Sequence, residues 1–108
     1  MRGQRLSSAS RRLDLVLVAA RYTPDGRLAL AQGYERLGQV WTDLMLFDRA
    51  SLIERLRAGK HVAVGRAAAV PGDFEVQDAV VLAGANGRAV TRAARADSTK
   101  DDLRVPVF

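Results

Sequence analysis

The chain has 108 residues, a formal net charge of +5 and no cysteine. That length bounds it to one domain, and the missing thiols exclude disulfides, thiolate zinc sites and cysteine nucleophiles. Its composition, 48% hydrophobic and 27% charged, can bury a modest core without metals or cross-links.

Residues 1–12, MRGQRLSSASRR, hold Arg2, Arg5, Arg11 and Arg12 and no acid. Without these four, 13 basic residues stand against 12 acidic ones, so the remainder is nearly neutral. The positive charge belongs mainly to this segment, read as a disordered basic tail preceding one small domain at 13–108. No apolar run of signal-peptide length follows the tail. None approaches the roughly 20 residues of a membrane span, and the expected location is the cytoplasm.

Residues 13–22, LDLVLVAARY, carry apolar side chains on both parities, the pattern of a strand buried on both faces. TPDGR (23–27) is a hairpin connection. Pro24 presets φ, Asp25 can close an Asx turn, and Gly26 takes the left-handed position. LALAQGYER (28–36) is the return strand, with Gly33 marking a bulge or sharp bend. Gly38 begins another turn, and VWTDLMLF (40–47) reads as a third strand.

The helix signal is confined to 49–58. Asp48 or Ser51 can cap it, and Ser51 with Glu54 has capping-box spacing. Leu52, Ile53 and Leu56 form its apolar stripe, and Gly59 supplies the C-terminal left-handed residue. So short a helix is unstable alone and must pack its stripe onto something, most simply one open end of a curled sheet. KHVAVGRA (60–67) then alternates as a strand, PGD (71–73) turns, and FEVQDAVVL (74–82) is a further strand. Asn-Gly within 85–88 predicts a hairpin returning through 88–93. Residues 94–102 are polar and loop-like. LRVPVF (103–108) reads as a terminal edge strand, since Pro106 lacks a donor.

The resulting order, β-β-β-α-β-β plus C-terminal strands, predicts a mainly β fold: a small antiparallel barrel with the element order of an OB-fold and its helix as a lid. No catalytic or phosphate-binding motif is present. His61 is the only histidine, and the carboxylates show no calcium-loop spacing, so no metal or cofactor is expected. Asp43, Asp48 and Asp78 sit in or beside apolar strands. Each needs either exposure or a partner, and Arg36 or Arg66 could serve Asp43.

The expected function is therefore non-catalytic: an interaction or assembly module that self-associates or binds a protein partner, burying Val107 and Phe108 of the terminal strand. The alternative is a single-stranded nucleic-acid-binding domain. There Tyr34 and Trp41 would stack bases while Arg36, Arg66 and the tail track phosphates.

Overall fold

The computed structural model describes residues 13–69, 73–83, 89–93 and 100–108. The expectations for the tail at 1–12, the turn residues 71–72, the Asn-Gly turn and the polar segment 94–99 lie outside the described residues.

Seven strands and one helix follow in the order β1 (Leu15–Tyr22), β2 (Leu28–Leu37), β3 (Val40–Trp41), β4 (Met45–Asp48), α1 (Arg49–Arg57), β5 (Val62–Ala67), β6 (Phe74–Ala83) and β7 (Ala89–Arg92). The β1–β2 hairpin closes as its residues dictate. Gly26 adopts φ +86°, the Thr23 amide donates to the Arg27 carbonyl at 2.7 Å, and the Thr23 hydroxyl donates to the Asp25 carboxylate. Gly33 stands opposite an irregularity in β1 between Leu17 and Ala19. A side chain there would strike the Val16 carbonyl, so the bend requires glycine.

The sheet runs β3-β2-β1-β5-β6-β7, with β4 also paired to β2. Two features correct the expectation of a closed antiparallel barrel. First, β5 pairs with β1 in parallel, Leu15–Leu17 against Val62–Val64. The segment from β4 through α1 is therefore a crossover that carries the chain from one side of β1 to the other. Second, the sheet is a curled open half-barrel. The C-terminal segment lies across its gap, held by one parallel bridge to β7 (Thr91 with Asp102) and one to β1 (Ala20 with Val107). The parallel pairing also departs from the sequence-based order analogy, which assumed short antiparallel connections throughout.

The single third strand expected over 40–47 is two short ones. The Thr42 hydroxyl accepts the Glu35 amide at 3.0 Å, so a side chain substitutes for a ladder carbonyl where the strand is interrupted.

The concave face of the sheet holds the core: Leu15, Leu17, Leu28, Phe47, Val64 and Val90, with Leu103 and Val105 from the C-terminal segment. Helix α1 covers it. Asp48 is its N-cap, accepting the Ser51 amide at 2.8 Å. Leu52 is fully buried, while Ile53 and Leu56 pack beside it. Flanking that stripe, Arg55 pairs with Glu35 of β2 at 2.9 Å and lies over the Phe47 ring.

Thr91 of β7 is fully buried, and among the described residues its hydroxyl has no hydrogen-bond partner. A buried unpaired hydroxyl costs about 1–3 kcal/mol. Thr91→Val, which keeps the shape and removes the oxygen, is expected to stabilise the domain by about 1 kcal/mol. Thermal unfolding by circular dichroism should show a rise of roughly 4 °C or more.

Candidate interaction surfaces

The residues that sequence reasoning grouped as a binding platform do come together, but around an unanticipated partner. Tyr34 and Trp41 lie on one face of β2–β3, and the β5–β6 hairpin brings Phe74 onto them. Phe74 sits 5.4 Å from the Tyr34 ring and 4.7 Å, edge-on, from that of Trp41. Phe74 is itself buried. The three rings form a small second core on the convex side of the sheet, each worth the usual 0.5–1.5 kcal/mol (roughly) per aromatic contact beyond its buried area.

Arg36 is held by the chain around it. Its guanidinium donates to the Leu13 carbonyl at 2.6 Å and the Gly38 carbonyl at 2.7 Å, and it pairs with Asp14 at 3.4 Å. Arg66 pairs with Glu75 across β5–β6 at 2.5 Å. The stacking faces and the positive charges of this group are thus already engaged within the chain.

The embedded acids resolve individually. Asp43 is exposed in the interruption between β3 and β4, and neither Arg36 nor Arg66 is its partner. Asp48 is the helix cap, and Asp78 pairs with Arg92 at 3.4 Å. His61 is exposed at the start of β5, its amide donating to Asp14 at 2.8 Å. Among the described residues no three His, Asp or Glu side chains are grouped as a metal site would need.

Asp101, read only as part of a polar loop, is the most heavily bonded carboxylate of the fold. Its side chain is fully buried. One oxygen accepts the Leu28 amide at 2.6 Å and Arg49 Nε at 2.7 Å, while the other accepts the Val90 amide at 2.8 Å. It therefore joins β2, β7 and the first residue of α1. Burial alone would raise its pKa. The Arg49 hydrogen bond, the two amides and the Arg49 charge outweigh that and hold it below the ordinary value.

At the terminal segment, Val107 projects into solvent and Phe108 is half-buried. The Phe108 amide donates to the Ala20 carbonyl, and its own carbonyl accepts from Arg21 Nε at 2.9 Å. The Arg21 guanidinium covers the Phe108 ring at 4.7 Å. The last residues thus pair within their own chain.

Among the described residues, five of the exposed large apolar side chains gather along β2–β3 and β4. Leu37 and Val40 flank the β2–β3 turn, and Leu44, Met45 and Leu46 follow at β4, all substantially exposed. β3 and β4 pair with β2 on one side only, so among the described residues their outer edge has no partner strand. The chain matches no protein-family model, no curated protein and no solved structure.

Proposed function

We propose that the protein is a non-catalytic assembly module whose β3–β4 margin pairs with the same margin of a second copy. The observation that carries this reading is the coincidence, on one edge, of unpaired strand backbone and the side chains of Leu44, Met45 and Leu46. An exposed apolar edge strand is a template for another strand.

A second copy suits it by register. Antiparallel pairing of β4 with β4 about a two-fold axis between Leu46 and Phe47 sets Met45 against Asp48 of the other copy and Leu46 against its Phe47. The like-charged Asp43 and Asp48 do not face one another in that register. The edge is short and interrupted at 42–44, which favours a closed two-fold pair over an extending array. Single-stranded nucleic-acid binding draws less support, because Phe74, Asp14 and Glu75 already occupy the aromatic faces and guanidinium groups it would use.

Sedimentation velocity over a micromolar concentration series tests this. The unmodified chain is expected to form a reversible dimer. Leu46→Lys, a charge on the edge, should leave a folded monomer, whereas Val107→Lys should leave the dimer intact. A monomer at every concentration would overturn the proposal, as would a dimer lost only in the Val107 variant.

A further inference from the structure

Apart from β4, a cavity of about 500 Å³ opens where β5 begins beside β6. Its floor is the buried pair Val62 and Val80, and Leu13, Ala79 and Val81 form its walls. Its size is within the usual range of small-ligand pockets, and its lining is apolar, as such pockets are. Two polar residues complete it, Lys60 and His61, and both are exposed at its mouth.

The charge at that mouth is one-sided. Among the described residues Lys60 has no ion-pair partner, and its backbone amide donates to the Arg55 carbonyl. The acid facing His61 is Asp14, 3.8 Å from His61 Nδ1. That carboxylate is already committed: it accepts the His61 amide and pairs with Arg36. Lys60 and Arg36 against Asp14 leave an excess of positive charge, and of these two cations Lys60 is the one with no ion pair among the described residues.

We infer that this cavity is a binding site for a small amphipathic anion, an aliphatic carboxylate whose chain enters between β5 and β6 and whose head group meets Lys60 at the rim. The apolar lining accounts for the tail. The unpaired ammonium, beside an imidazole able to donate a hydrogen bond, accounts for the head. Nothing in this site depends on the β3–β4 edge, so it stands or falls independently of dimerisation.

The experiment is a titration of the ¹⁵N-labelled chain with decanoate below its micelle concentration, with decanol and octanoate as comparisons. Decanoate is expected to shift the amides of Lys60, Val62 and Ala79 saturably. Octanoate, shorter by two methylenes, should bind on the order of tenfold more weakly. Lys60→Glu should weaken decanoate several-fold and leave decanol unchanged. Ala79→Phe, at an exposed position, should fill the cavity and abolish both.

Absence of a saturable shift would overturn the inference, as would shifts confined to β3–β4. Equal binding of decanol and decanoate, insensitive to Lys60→Glu, would overturn the anion assignment.

Discussion

Asp101→Asn is expected to destabilise the domain by about 3 kcal/mol, and by at least the 2 kcal/mol (roughly) at which a buried, charge-assisted network is usually felt. The isosteric change is not conservative here. Each carboxylate oxygen accepts a backbone amide, Leu28 on one and Val90 on the other. An asparagine has one oxygen, so its NH₂ group must face a backbone N–H. The Arg49–Asp101 ion pair is lost at the same time. Urea unfolding should show a lower midpoint with a nearly unchanged slope.

The same residue sets an acid limit. Its folded pKa lies below the ordinary 3.8, so the native state binds the proton less readily than the unfolded chain does. The stabilisation from ionised Asp101 is complete above about pH 4 and is lost as the pH falls from there through the depressed folded value. Unfolding free energies measured downward from pH 6 should fall in that window in the native chain. The fall should be shallower in Asp101→Asn.

Leu52→Ala should cost a comparable amount, about 3 kcal/mol within the 2–5 kcal/mol span for buried leucine truncations. Leu52 is fully buried, and it is the anchor of a nine-residue helix that cannot persist undocked. Ile53→Ala, at a partly exposed neighbour, should cost clearly less. Paired denaturation curves check the ranking. If the two variants were equal, α1 would be held by the Arg55–Glu35 pair and its cap rather than by its apolar stripe.

Features governed by neighbouring residues were legible in the sequence. TPDGR specifies its turn by side-chain and glycine chemistry acting over four bonds of chain, and the structure has that turn. Asp48, Leu52, Leu56 and Gly59 mark the helix because caps and stripes are local. Gly33 signalled the irregularity it sits opposite. The long alternating segment beginning at Phe74 is one strand, β6.

Features governed by distant partners were not legible. Parallel pairing of β1 with β5 depends on which edge of β1 a later strand reaches, and the composition of Leu15–Leu17 suits either orientation. The interruption at 42–44 depends on one hydroxyl, that of Thr42, finding the Glu35 amide. Asp101 lies in a polar run whose spacing resembles any loop; only the folded chain brings Leu28, Val90 and Arg49 to it. For the candidate surfaces, Tyr34, Arg36 and Trp41 were correctly expected to be neighbours, since they flank a hairpin. Phe74, 33 positions beyond Trp41, supplied the contact that occupies their faces.

The way residues 101–108 span the gap has a consequence for the order of folding. The Leu28 and Val90 amides donate to Asp101 and the Ala20 amide donates to the Pro106 carbonyl, so three strands are tied by residues 101–108. The β1–β2 hairpin and α1 are built from contacts close in sequence and can be sampled early, but the curled sheet is not locked until residues 101–108 dock across it.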